Sequence, residues 1–209
     1  MKVMPGGAGE LDLSRGISLL EVPTQPVSRA QGDIHVFGNP HYWMDPRNGK
    51  IMAEAIAAKL SEMDPAHQKE YEANLATFLS KLDEKLRQWT EQVAPTKNKE
   101  ALAYHTEWTY LCDFTGMKIE QFLEPKPGIP PTPGHLAFLQ KYIEGHKIPV
   151  IFQASYYSKD AALALEKRTG IKMALLCQNV GEIPEASDFF SFFDYNMSIV
   201  AGAFKGGKS

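Results

Sequence analysis

Three histidines fall where the chain turns. His35 and His41 flank Gly38-Asn39-Pro40, and His105 directly follows the apolar run Ala101–Tyr104. Imidazoles offer the nitrogen lone pairs that a borderline-soft divalent ion such as zinc prefers. Gly38, Asn39 and Pro40 stop regular structure, and Asp45-Pro46 reads as an N-cap with proline at the first helical position, so His41 sits in a loop before a helix. Tyr42 and Trp43 can wall its ring from water while presenting polar tips. A lone loop imidazole fits two readings: a metal ligand, or a half-buried ring bonded to a backbone carbonyl. His35 meets the same ion if residues 32–41 curl back, and is an exposed loop residue if they do not. His105 is either a ligand or a cap of the helix that follows.

A closed zinc site takes about four ligands, often with no water left over. Cys177 is a candidate as thiolate or a packed core thiol, and Gln178 lies beside it. Glu107 and Glu120 are carboxylates near His105 in sequence, read as solvated residues or as partners that orient an imidazole. His67, His135 and His146 lie on helices or helix ends without metal spacing and read as surface residues. Catalytic patterns are missing: no His-Glu-x-x-His, no Gly-x-Ser-x-Gly and no phosphate-binding glycine loop. A metallohydrolase needs a general base beside its ion, and Glu107 is the one candidate. The chain therefore reads as a non-enzyme.

The elements that position these residues follow from periodicity. Ile17–Val22 is a strand-like run closed by prolines. Ile51, Met52, Ala55, Ile56 and Leu60 recur at helical spacing until Asp64-Pro65. Tyr71, Leu75, Phe78, Leu82, Leu86, Trp89 and Val93 step by three and four, predicting a helix of roughly 40 Å that ends at Ala94-Pro95. A coiled-coil partner helix is the competing reading of that stripe. Strands are predicted at Ala101–Tyr104, Lys118–Leu123, Pro149–Gln153 and Ile171–Leu176, and helices at Glu107–Thr115, about 134–144, from Ser158 to Thr169 and about 188–203. Gly116, Gly145 and Gly170 are the stops. This alternation predicts an α/β fold with a doubly wound parallel sheet in three αβα layers. Ligands in such folds lie at the carboxyl ends of strands beside the switch point, where His105 falls.

With 209 residues, 44% apolar, the chain can bury a proper core. A net charge of −3, with both signs interspersed, points away from nucleic acid. No stretch approaches the ~18 apolar residues of a membrane span. Met1–Glu10 is glycine-rich and does not read as an export signal. The two cysteines, Cys112 and Cys177, read as buried free thiols.

Asn39-Pro40-His41-Tyr42-Trp43-Met44-Asp45-Pro46 resembles the signature of the periplasmic zinc- and manganese-binding proteins that feed ABC-type metal importers. Tyr104-His105-Thr106-Glu107-Trp108-Thr109-Tyr110-Leu111 resembles the segment that places their second-lobe ligand, and Glu124-Pro125-Lys126-Pro127-Gly128 their proline-rich loop. The resemblance implies capture of a divalent metal at His41 and His105, with His35 as a further candidate, and delivery to an ABC-type membrane permease. Histidine at 105, where manganese binders carry glutamate, favours zinc. It implies a remnant of a first lobe over 1–64, an inter-lobe spine helix over 65–95 and a second α/β lobe over 96–209. In the resembling family a histidine from the preceding first lobe and an acidic residue from a late loop complete the shell. The late loop here, Leu176 to Glu182, has no aspartate at that place. A periplasmic or extracellular, lipid-anchored location follows from the same resemblance, as does self-association through the face that a first lobe would cover. The alternative is a metal-free structural or interaction protein that keeps the fold.

Overall fold

The computed structural model describes residues 4, 6–25 and 37–205. His35 lies outside the described residues. After a 3-10 turn, Tyr42–Met44, α1 spans Asn48–Met63 and α2 spans Gln68–Val93. The α/β alternation then runs β1 Glu100–Ala103, α3 Thr109–Thr115, β2 Lys118–Phe122, α4 Pro133–His146, β3 Val150–Ala154, α5 Asp160–Thr169, β4 Lys172–Leu176 and α6 Phe189–Ala203. The four strands are all parallel in the order β2-β1-β3-β4, so the chain reverses its winding between β1 and β3.

The strands alternate between two cores because each is covered on both faces. Ala101 and Ala103 of β1, with Val150, Phe152 and Ala154 of β3, pack beneath α2, α3 and α6 through Leu82, Trp89, Leu111, Phe193 and Met197. Leu102 and Ile151 face the other way, onto Leu139 and Ile143 of α4 and Ala162 and Leu165 of α5. The result is a three-layer αβα arrangement with a doubly wound parallel sheet, as the sequence pattern predicts.

With 26 residues, α2 is about 39 Å long. Its C-terminal half is anchored to α6: Trp89 Nε1 donates to Asp194 Oδ1 at 2.7 Å, and Lys85 pairs with the same carboxylate at 2.7 Å. Its N-terminal half packs on α1, leaving an apolar groove of about 550 Å³ lined by Met52, Ile56, Leu60, Leu75 and Phe78.

Several boundaries differ from the sequence expectation. Ile17–Val22 is irregular, not a strand: the Leu20 amide donates to the Tyr110 hydroxyl, and its carbonyl accepts from Asn39 N. Asp45-Pro46 does not open α1 directly. Asp45 Oδ1 accepts from Arg47 N at 2.8 Å and pairs with the Arg47 guanidinium, which also reaches Asp113, so the helix begins at Asn48. The helix predicted from Glu107 begins at Thr109, because the chain from His105 to Trp108 turns inward first. Gly145 lies inside α4, and Lys147 provides the left-handed stop at φ 55°.

Asn196 closes the fold at the end of β4. Its fully buried amide accepts from Cys177 N and donates to Cys177 O, both at 2.9 Å. Asn196→Leu orphans two buried backbone groups and is expected to cost roughly 2–3 kcal/mol, read as a lower urea midpoint at unchanged slope.

Candidate metal centre

The loop that carries His41 depends on two residues. Gly38 has φ 106°, and a Cβ there would meet Leu20 O at 2.9 Å and Val22 Cγ2 at 3.1 Å, so only glycine lets the two segments pass. Asn39 is buried, and its Nδ2 lies 2.8 Å from Glu21 Oε2, 2.9 Å from Thr106 O and 3.1 Å from Thr109 Oγ1. Its Oδ1 accepts from His41 N at 3.0 Å and pairs with His41 Nδ1 at 2.9 Å. The backbone amide fixes the orientation of the Asn39 side chain, so its oxygen faces His41 and the ring proton resides on Nδ1. The Tyr110 hydroxyl donates to Asn39 O at 3.0 Å. One side chain thereby ties the His41 loop to the turn that carries His105.

His105 is held in the same manner. Its Nδ1 lies 2.8 Å from Glu124 Oε2, with only 14% of the imidazole and 9% of the carboxylate side chain exposed. Glu124 Oε2 also accepts from Gly128 N at 3.1 Å, within the tight turn of the proline-rich loop. Sheet register brings the pair together: Leu123 N bonds Ala103 O and Glu124 N bonds Tyr104 O, which sets Glu124 beside His105. The two imidazoles are edge-on neighbours, with ring centroids 6.0 Å apart and planes at 79°. In each ring Nδ1 is tied to a side-chain oxygen, the arrangement that orients metal-ligating histidines.

The far wall comes from the carboxyl ends of β3 and β4. Tyr157 stacks on Tyr104 at 4.1 Å and lies 6.3 Å from the His105 ring. The Tyr156 hydroxyl donates to Gln178 Oε1 at 2.6 Å, Ser155 Oγ donates to Glu182, and Glu182 Oε2 accepts from Gln178 N at 2.8 Å. Trp43 Nε1 reaches across to Gln178 O at 2.9 Å. The crevice therefore sits at the β1/β3 switch point.

Glu107 is wholly buried beneath it, and neither carboxylate oxygen finds a hydrogen-bond partner among the described residues. Burial pushes its carboxyl up to about 8, with the Glu124 charge acting in the same sense. The amides of Glu107 and His105 pull the other way without reaching hydrogen-bond geometry.

The structure brings His41 and His105 together and redistributes the other candidates. Glu107 is neither solvated nor bonded to an imidazole, and Glu120 is exposed on the outer strand β2. Glu124 is the carboxylate that orients His105. Cys177 is a buried thiol pushed up to about 11 by burial, which suits core packing and not thiolate ligation. The Gln178 side-chain oxygen is occupied by Tyr156. Among the described residues, no three His, Cys, Asp or Glu side chains already converge as a metal cluster.

Residues 3–203 match the family described as zinc-uptake complex component A, periplasmic. The chain belongs to this family. It is similar to the high-affinity zinc uptake system protein ZnuA of Brucella abortus (strain 2308), 26% identical over 150 residues that cover 72% of this chain and 45% of that one. It is also similar to the zinc-binding protein AdcA of Streptococcus pyogenes serotype M6, 27% identical over 171 residues, 80% of this chain and 33% of that one. The chain thus spans less than half the length of these curated relatives. Among solved structures, a crystal structure of ZnuA superposes with a TM-score of 0.77 at 24% identity, covering 92% of this chain and 69% of that one. A Zn(II)-bound mutant variant of AdcAII from Streptococcus pneumoniae gives 0.73 at 28% identity, covering 93% and 70%. The family is one of solute-binding components of ABC importers and not of enzymes.

Glu124→Gln preserves shape but weakens the hold on His105 Nδ1. Titration with a divalent ion is expected to show an affinity loss of roughly 10–100-fold with the fold intact by circular dichroism.

Proposed function

We propose that this chain captures a divalent metal, zinc in preference to manganese, between His41 and His105 and delivers it to an ABC-type membrane permease. The observation that carries the reading is the pair of neighbouring imidazoles, His41 buried and His105 largely so, each with Nδ1 tied to a side-chain oxygen. Such rings are held in place before an ion arrives, so binding spends little of its free energy on ordering them. Zinc is supported by nitrogen donors at both positions and by the names of the relatives from Brucella and Streptococcus. Capture and release need no covalent chemistry. His35 is a further candidate ligand in this reading.

The reading divides the chain into a first-lobe portion over 1–64 carrying the His41 loop, a spine helix over 65–95 and a second α/β lobe over 96–209. It places the protein in the periplasm or at the cell exterior on a lipid anchor. No described helix is long and apolar enough to cross a membrane. Self-association through the face that a first lobe would cover is a further expectation of this reading.

A second reading, a metal-free interaction protein that retains the fold, is favoured by one observation: no three ligand-type side chains converge among the described residues. A competitive zinc titration against a chromophoric chelator separates the two. The transport reading expects tight one-to-one binding that both His41→Ala and His105→Ala abolish, with manganese unable to displace zinc. Weak binding indifferent to either substitution puts the interaction reading first.

A further inference from the structure

Among the described residues, three that are not glycine have φ in the left-handed region. Lys147, at 55°, stops α4, and Asn98, at 61°, turns the chain into β1 with a side-chain type that tolerates the conformation. Glu21, at 54°, does neither: it stands in the irregular segment 17–22, and a β-carbon disfavours that backbone. Its neighbours show what the reversal achieves. The Leu20 amide donates to the Tyr110 hydroxyl and the Leu20 carbonyl accepts from Asn39 N at 2.8 Å, so the segment is tied along the His41 loop. From there the Glu21 carboxylate gives one oxygen to each of two donors. Oε2 accepts from Asn39 Nδ2 at 2.8 Å, and Oε1 accepts from Thr109 Oγ1 at 3.0 Å.

From this arrangement we infer that Glu21 is a positioning residue for the metal centre, which through the Asn39 carboxamide supplies His41 with the anionic backing that Glu124 gives His105 directly. The inference rests on the proposed capture function. His105 Nδ1 meets a carboxylate at 2.8 Å, whereas His41 Nδ1 meets the neutral Asn39 Oδ1 at 2.9 Å. An imidazole that ligates a divalent ion takes on part of its positive charge, so an anion on its other nitrogen strengthens the bond to the metal. A carboxamide alone offsets little of that charge. With a carboxylate on its nitrogen the carboxamide is polarised, and its oxygen becomes the stronger acceptor. Thr109 opens α3, directly after the turn that carries His105, so the same carboxylate also sets the spacing between the two histidine-bearing segments. A backbone held in a disfavoured conformation to deliver an exposed acid to the loop of a ligand is costly to the fold and useful to the site.

The test uses the full chain, with Zn(II) competed against a chromophoric chelator and Co(II) as a spectroscopic probe. Glu21→Gln keeps the length of the side chain and removes its charge at an exposed position, so the fold is retained. It is expected to weaken Zn(II) binding by about tenfold, the lower end of what losing an imidazole's partner costs. The Co(II) absorption bands and the metal-free melting temperature stay where they are, since neither the ligands nor the core have changed. A lower metal-free melting temperature marks Glu21 as a brace of the fold and overturns the inference, as do shifted Co(II) bands, which mean an altered donor set. A double-mutant cycle asks whether the effect passes through Asn39. In an Asn39→Ala background, Glu21→Gln is expected to change Zn(II) affinity by less than about twofold, whereas the full loss there means that the charge acts through space and overturns the inference. Should Asn39→Ala disturb the loop, the reading from Glu21→Gln alone decides. Unaltered Zn(II) affinity in Glu21→Gln, with binding still lost in His41→Ala and His105→Ala, removes Glu21 from the site and leaves the capture function standing. Absence of Zn(II) binding in the unsubstituted chain removes both.

Discussion

The arrangement of the crevice depends on the side chain of Asn39. Its amide nitrogen meets acceptors on Glu21, Thr106 and Thr109, while its oxygen takes the amide and ring proton of His41. The acceptors on Glu21, Thr106 and Thr109 come from segments far apart in sequence, and the bonds to His41 are buried, where each is electrostatically stronger and more costly to leave unmade. The separation of the two imidazoles is thus a property of a shared network and not of either loop alone. Gly38 is what admits that network, because any side chain there would collide with the Leu20 carbonyl.

The parallel sheet supplies the second constraint. Parallel neighbours place their carboxyl ends side by side, so β1 and β2 deliver His105 and Glu124 to the same edge although nineteen residues separate them. The reversal of winding between β1 and β3 opens room there, and the loops after β3 and β4 close its far side with tyrosines and amides. An imidazole against a carboxylate on one side, and against a carboxamide on the other, gives two rings with the same tautomer by different chemistry.

Local signals made most of the fold legible. The apolar stripe of α2, the short apolar runs of β1 to β4 and the left-handed stops at Gly116 and Gly170 are local patterns, and each appears where periodicity and turn chemistry place it. Ile17–Val22 misled because β-like composition does not supply a partner strand, and its backbone bonds go instead to Tyr110 and Asn39. His41 and His105 were visible as histidines at turns. Their holders were harder to read: Glu124 reaches His105 only through strand register, and Asn39 acts through tertiary partners that no spacing rule contains. Glu107 read as a solvated residue or an imidazole-orienting partner at the start of a helix, and its burial follows from the inward turn that delays α3 to Thr109.

A four-stranded open sheet has two rims, and here they are β2 and β4. Exposed backbone edges are templates for adding strands from other molecules. Lys118 and Glu120 stand exposed on β2, and Lys172 on β4 is exposed beside Glu166. Extending the sheet across either rim would strip water from these charges without offering them new partners. The same short parallel sheet that builds the crevice thereby carries its own protection against edge-to-edge growth into fibres.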